Sequence, residues 1–222
     1  MWTQTVNAQK ITDGGARRHI DQLVIEKESD LMVNGTLIGQ FFHTPQLEKE
    51  WGIGYAVLCC GIDPQAVVAK YESGTIYITG PVIQNVTLDK RIEFTKPVAS
   101  DVFQLTGYFQ QAAMLYKKTA VTESVGIALN DQLLCCSEDL TQENALYKAI
   151  GQYVMANKSL PRDCMLLVSS KVDLGFMHKL IVAQVGIVIL RTAPTKQALD
   201  LAKDYYISIL GFARGRKYIA YK

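Results

Sequence analysis

Up to Gly80 the apolar positions fall in short runs separated by turn residues. Gln22 to Ile25 and Leu31 to Val33 read as strands, and Asn34-Gly35 is a favoured two-residue hairpin turn leading to a returning strand over Leu37 to Phe42. Thr44-Pro45 places a hydroxyl N-cap before a proline at the first helical position. That predicts a helix over Leu47 to Cys60, ended by Gly61. Ala66 to Tyr71 and Thr75 to Thr79 alternate about Ser73-Gly74 as a second hairpin. Met1 to Ile20 is polar, and the sequence leaves open whether it is ordered or a loose end.

Beyond Gly80-Pro81 the period changes. Val98 to Lys118 carries Val102, Leu105, Phe109, Ala112, Ala113 and Tyr116 at helical spacing. Val125 to Leu129 and Gln132 to Cys136 form a hairpin about Asn130-Asp131, followed by a helix over Thr141 to Ala156. Met165 to Ser169 is a continuous apolar run, as in a strand buried on both faces. Helix (Leu174 to Val185), strand (Ile187 to Leu190) and helix (Thr195 to Asp204) alternate from there, and Ile207 to Phe212 and Tyr218 to Tyr221 finish as strands. The alternation predicts an α/β protein, its C-terminal sheet covered by helices on both faces and its N-terminal lobe smaller and mostly β. The polar, Pro-containing stretch 81–97 marks the boundary, giving a lobe over 1–90 and a domain over 91–222.

Composition narrows the function. The 222 residues carry a net charge of +2, which favours neither nucleic acid nor a polyanion surface. The most apolar stretch, Leu180 to Leu190, is too short to cross a bilayer, and the polar N-terminus lacks a secretory h-region. Five cysteines, two of the pairs vicinal (Cys59-Cys60 and Cys135-Cys136) and Cys164 alone, do not form a secreted disulfide framework, so the cytoplasm is expected. Free cysteines usually pack as small hydrophobes, and that is the expectation for all five. His19, His43 and His178 stand in no H-x-E arrangement and no C-x-x-C is present, which excludes a zinc deaminase. Trp51-Gly52-Ile53-Gly54 has neither the preceding strand nor the third glycine of a dinucleotide fingerprint. The Arg214-Gly215-Arg216-Lys217 segment offers cations to an anion or to solvent.

Several short motifs together resemble the FdhD/NarQ family of formate dehydrogenase accessory proteins. They are Val33-Asn34-Gly35, Thr44-Pro45 with Leu47-Glu48, Gly54 and Gly61, Tyr116-Lys117-Lys118-Thr119, Glu138-Asp139 with Asn144-Ala145-Leu146 and Lys148, Ser169-Ser170-Lys171, Ala193-Pro194-Thr195, and Gly211-Phe212-Ala213-Arg214-Gly215. Their order runs from about Asp30 to the C-terminus. The resemblance implies a C-terminal domain of the cytidine-deaminase-like three-layer α/β/α kind, a homodimer, and a part in molybdenum-cofactor maturation. The partners it implies are formate dehydrogenase and a cysteine desulfurase, with sulfur passed as a persulfide to bis-molybdopterin guanine dinucleotide. No covalent cofactor is implied; a guanine nucleotide or molybdopterin guanine dinucleotide is the ligand. By position in the motifs, Thr119, Glu138, Asp139, Asn144, Ser169, Lys171, Gly211 and Phe212 become the cofactor-binding candidates.

The departures from the family pattern matter as much. The interval where the family carries its cysteine loop, Gly80 to Ala99, has no cysteine and is short. Glu123 stands for a histidine, Ala120 for a glycine, Thr141-Gln142-Glu143 for G-R-H, and Lys171 for an arginine. Added carboxylates repel a pyrophosphate, and lysine lacks the fork of arginine, so weakened or altered nucleotide binding is expected. Glu123, Glu138, Asp139 and Glu143 should gather at one sheet edge, as helix and strand caps or as acceptors for a guanine or ribose. Three functions stay open: a catalytically degenerate accessory protein, a non-catalytic module that binds a nucleotide cofactor or partner, and an enzyme using the acidic cluster. Whether the chain is itself an enzyme is undecided by the sequence.

Overall fold

A computed structural model describes residues 2–83 and 97–221. The expected 81–97 boundary falls largely on residues 84–96, outside the described residues. Before it come an antiparallel hairpin, β1 (Thr3–Thr12) and β2 (Gly15–Val24), and a four-stranded sheet. The hairpin orders the N-terminus, whose order the sequence left open: each of its strands runs for ten residues, paired from Thr3 opposite Val24 to Thr12 opposite Gly15. The sheet comprises β3 (Lys27–Val33), β4 (Thr36–His43), β5 (Val68–Glu72) and β6 (Thr75–Thr79) in the order β4-β3-β6-β5. Helix α1 (Glu48–Cys60) connects β4 to β5. Asn34-Gly35 and Ser73-Gly74 make its hairpin turns, all four residues having positive φ as such turns require.

The second sheet has six strands: β7 (Glu123–Leu129), β8 (Gln132–Asp139), β9 (Met165–Val168), β10 (Ile187–Leu190), β11 (Ser208–Arg214) and β12 (Lys217–Ala220). Its order is β12-β11-β10-β9-β7-β8, with β9, β10 and β11 parallel and the outer pairings antiparallel. Alternation along β9 and β10 sends Leu166, Val168, Val188 and Leu190 into one core and Met165, Leu167, Ile187 and Ile189 into another. The first core is closed by α4 (Gln142–Asn157), α5 (Leu174–Val182) and α6 (Lys196–Asp204). The second is closed by Val102, Leu105 and Phe109 of α2 (Ala99–Ala112). Helices therefore cover both faces, as the burial of every residue of β9 and β10 demands. The long helix expected over Val98 to Lys118 is broken at Ala113, where φ −72°, ψ 70° leaves the helical region, and a short α3 (Met114–Thr119) restarts.

Helix α1 joins the two sheets. It is buried nearly all round, with Trp51, Gly52, Ile53, Gly54, Ala56, Val57 and Leu58 out of solvent. Its glycines serve thinness on opposite faces. A Cβ on Gly52 would lie 2.4 Å from Ile76 Cγ2 of the small sheet, and one on Gly54 would lie 1.9 Å from the Tyr147 carbonyl of α4. The fit is mutual, because a Cβ on Gly151 would lie 1.8 Å from the Glu50 carbonyl. The α1 and α4 backbones thus touch, and G-x-G here is a packing device. Gly54→Ala and Gly151→Ala are each expected to lower the unfolding free energy by roughly 2–4 kcal/mol in urea titrations, since only backbone movement relieves the clash. Gly107→Ala on α2, where an added Cβ meets nothing within 4 Å, is the control and is expected to stabilise by about 0.5–1 kcal/mol.

Candidate functional site

The family-like run from Glu138 to Lys148 builds the joint between the sheets. Lys148 is fully buried, its ammonium 2.5 Å from Asp139 Oδ2, which is buried as well. The same ammonium donates to the Thr44 carbonyl at 3.0 Å and the Thr44 hydroxyl at 2.7 Å. Asp139 in turn accepts from the N–H groups of Thr44 and Leu140 and from the Asn144 amide. Asn144 closes the ring, donating to the Phe42 carbonyl at 2.8 Å and accepting from Trp51 Nε1 at 2.9 Å. Burial pulls the Lys148 pKa below its ordinary value against the opposing effect of Asp139. His43, also buried, hydrogen-bonds the Thr44 carbonyl and the Ser29 hydroxyl, and burial holds its pKa below the usual value.

These contacts correct the expected start of α1. The Thr44 hydroxyl does not cap that helix, because it is committed to Lys148 and Asp139; Leu47, at φ 54°, precedes the first turn without a side-chain cap. Thr141, Asp173 and Thr195 do act as N-caps, of α4, α5 and α6.

Glu138, next along β8, serves the opposite side of the sheet. Its two oxygens accept from the N–H groups of Leu115 (2.8 Å) and Tyr116 (2.7 Å) and from the Thr122 hydroxyl. It fixes the start of α3. Glu123, Glu138 and Asp139 do share one end of the β7-β8 ladder, yet each carboxylate has separate work.

A cleft of about 460 Å³ opens at the carboxyl edge of β9, β10 and β11, the edge where ligands enter open α/β sheets. Phe109, Gln110, Ala113 and Tyr116 form one wall. Glu123, Ser124, Ser169 and Ser170 lie at its base, and Arg191, Thr192 and Arg214 form the far side. Among the described residues no carboxylate ion-pairs with Arg191 or Arg214; Arg214 Nε donates to the Arg191 carbonyl. Thr192 Oγ1 is a buried side-chain oxygen with no hydrogen-bond partner. The Ser169 hydroxyl donates to Glu123 Oε2 at 2.5 Å and accepts from the Ser124 N–H. Two guanidiniums, the Thr192 hydroxyl and an aromatic wall suit an anionic ligand with a planar ring.

Of the candidates taken from the motifs, Ser169 lines this cleft. Asp139 and Asn144 sit in the inter-sheet joint, and Glu138 caps α3. Thr119 ends α3, its hydroxyl bonded to the Leu115 carbonyl, and Lys171 is exposed. Gly211 is tight: a Cβ there would lie 2.6 Å from Tyr221 Cε2. Phe212 follows it at φ 51°, its N–H on the Thr192 carbonyl. Arg191 was not singled out from the sequence, although an arginine directly after a buried four-residue strand is the available signal.

The thiols divide differently from the expectation. Cys164 is buried, Cys60, Cys135 and Cys136 are half-buried, and Cys59 is exposed at the end of α1, where the helix terminus leaves its side open to solvent. Desolvation raises the thiol pKa to about 11 for Cys135 and about 12 for Cys136, and raises that of Cys60. Cys59 Sγ donates to the Tyr147 hydroxyl at 3.5 Å. Among the described residues no group of His, Cys, Asp or Glu is placed to hold a metal, and no helix is long and apolar enough to cross a membrane.

An α/β scaffold with a β-rich N-terminal part and a cleft at the carboxyl edge of its main sheet defines the class. The model of the FdhD/NarQ family matches residues 73–222, and this chain belongs to that family. The sulfur carrier protein FdhD of Methanothermobacter thermautotrophicus is 23% identical over 231 aligned residues, covering 94% of this chain and 92% of the relative. That of Corynebacterium efficiens is 30% identical over 138 residues, covering 60% of this chain and half of the relative. Among solved structures, a chain from Desulfotalea psychrophila assigned as a formate dehydrogenase accessory protein superposes with a TM-score of 0.89 at 16% identity, covering 100% of this chain and 97% of its own. At that identity the likeness concerns the fold.

Lys148→Met removes the counter-ion of the buried Asp139 and is expected to cost about 3–5 kcal/mol in chemical denaturation; Asp139→Leu added to it should restore part of the loss. His43 carries a pH signature. Its folded pKa lies below the ordinary value of about 6.5, so below that pH the unfolded chain takes up a proton that the folded chain refuses. Stability is expected to fall between about pH 7 and pH 5, by at most ~1.4 kcal/mol per unit from this group. Urea midpoints of His43→Gln should show a flatter slope than the parent over that range.

Proposed function

We propose that this chain is an accessory protein of formate dehydrogenase maturation that holds the nucleotide end of bis-molybdopterin guanine dinucleotide and does not itself relay sulfur. The observation that carries the reading is the cleft of Arg191, Arg214 and the Thr192 hydroxyl, partnerless among the described residues, at the carboxyl edge of the sheet. Two guanidiniums that among the described residues have no carboxylate partner match a pyrophosphate by charge-assisted, forked hydrogen bonds. They offset the loss of cations elsewhere in the family-like motifs, and Glu123 leaves the pocket net positive. A volume of about 460 Å³ accommodates one nucleotide end, with the rest of the cofactor outside. When bound, the cofactor supplies the molybdenum chemistry to its dehydrogenase; the residues here bind and orient.

Sulfur relay needs a thiolate in an accessible, electropositive setting. Cys135 and Cys136 stay protonated at neutral pH, with thiol pKa values of about 11 and about 12. Cys59 is exposed near the end of α1, but the last turn of that helix holds no basic residue to make its setting electropositive. The protein therefore acts as a cofactor-holding and partner-docking member of the family.

Calorimetric titration with guanosine diphosphate is expected to show binding that Arg191→Ala and Arg214→Ala each weaken roughly tenfold or more. Absence of heat for the unmodified protein would remove the reading. In parallel, incubation with a cysteine desulfurase and cysteine should leave every thiol free of persulfide by mass spectrometry. A persulfide on Cys59 would reinstate the relay.

A further inference from the structure

We infer that Glu123 is the ring-reading residue of the cleft. Its carboxylate takes the two neighbouring N–H donors of a 2-amino-4-oxo-pyrimidine edge, the edge that guanine and pterin rings have in common. The inference rests on the reading that the cleft holds a nucleotide end.

The argument begins with Ser169. A hydroxyl has one proton to give, and Ser169 gives it to Glu123 Oε2 while accepting from the Ser124 N–H. Both neighbours are backbone-anchored on the first residues of β7, so the carboxylate is held in one orientation. A carboxylate offers about four lone-pair sites, and the Ser169 bond occupies one. No other hydrogen bond or ion pair to Glu123 occurs among the described residues, and the side chain lines the cleft half-buried. Its charge is left for a ligand, in a pocket whose cations, Arg191 and Arg214, make no ion pair with it.

The surroundings select the kind of donor. Tyr116, exposed and lining the cleft, supplies the aromatic face on which a flat ring lies, and the start of α3 that carries it is pinned by Glu138. A ring on that face turns an edge toward the base of the cleft, where Glu123 is an acceptor with no donor to offer. An edge with paired N–H donors satisfies it doubly. Adenine turns a donor and an acceptor, and its acceptor nitrogen faces a negative charge. Hypoxanthine keeps the ring N–H and lacks the amino group. Glu138 and Asp139, the other carboxylates of this region, are already saturated by backbone N–H groups or by Lys148.

The test compares guanosine, inosine and adenosine diphosphates, inorganic pyrophosphate and neopterin by calorimetry on the parent, Glu123→Gln and Ser169→Ala. The parent is expected to prefer guanosine over inosine diphosphate about tenfold, the worth of one hydrogen bond to a charged group, and over adenosine diphosphate by more. Glu123→Gln should bring the guanosine and inosine values together while pyrophosphate binding holds or tightens. Ser169→Ala, which frees the carboxylate to rotate, should narrow the same ratio without removing binding. Neopterin bound by the parent and lost in Glu123→Gln would assign the edge to the pterin, and its failure to bind beside a guanosine preference would assign it to guanine. Equal binding of the three diphosphates by the parent, or an unchanged ratio in Glu123→Gln, would overturn the inference and leave the phosphate site standing. Failure of pyrophosphate and every nucleotide to bind would instead overturn the nucleotide reading, and this inference with it.

Discussion

Everything in this molecule is arranged around one buried ammonium. Lys148 lies on α4, against the main sheet, and its partners come from the other half of the chain: the carbonyl and hydroxyl of Thr44, with Asp139 completing the charge balance. Burying an ion pair costs several kcal/mol per ion in desolvation, so such a pair contributes less to net stability than to uniqueness of the arrangement. Only one placement of the small sheet satisfies Lys148, Asp139, Asn144 and His43 together. The glycine contact of α1 with α4 imposes the matching steric condition, since the backbones meet at Gly54 and Gly151. Charge satisfaction and close approach thus select the same docking of lobe on sheet.

That docking reaches the cleft through strand alternation. Adjacent residues of β8 point to opposite sides, so committing Asp139 to the α4 side sends Glu138 to the α3 side. Glu138 there takes the Leu115 and Tyr116 N–H groups and sets where the aromatic wall begins. A structural ion pair and a ligand wall are thereby neighbours in sequence and coupled in space. The residues that carry the family-like motif are consequently mostly architectural: Asp139, Asn144 and Lys148 hold the joint that holds the cleft.

The sequence revealed what is decided locally. Asn34-Gly35, Ser73-Gly74 and the caps Thr141, Asp173 and Thr195 act within a few residues of themselves, and the elements beside them lie where the pattern puts them. Thr44-Pro45 misled because its hydroxyl is claimed by Lys148, 104 positions away, and no local rule weighs that competitor. The N-terminal hairpin was missed because its strands are almost wholly exposed and carry no apolar face, although Asp13-Gly14 is a turn signal between them. The break at Ala113 has neither glycine nor proline to announce it. Arg191 and Arg214 belong together only once β9, β10 and β11 are known to lie parallel and adjacent. Glu123, Glu138 and Asp139 do share the expected sheet edge, but alternation along β8 separates the neighbours Glu138 and Asp139 into unrelated tasks.

The same topology assembles the cleft from elements far apart in the chain. The cleft is lined from α2, the Ala113 break, α3, and the strand ends of β7, β9, β10 and β11. Among the described residues, none of those lining it is a cysteine. The cleft's electrostatics depend on Arg191, Arg214 and Glu123, which are anchored by β10, β11 and β7 and, behind them, by the cores on both faces of the sheet.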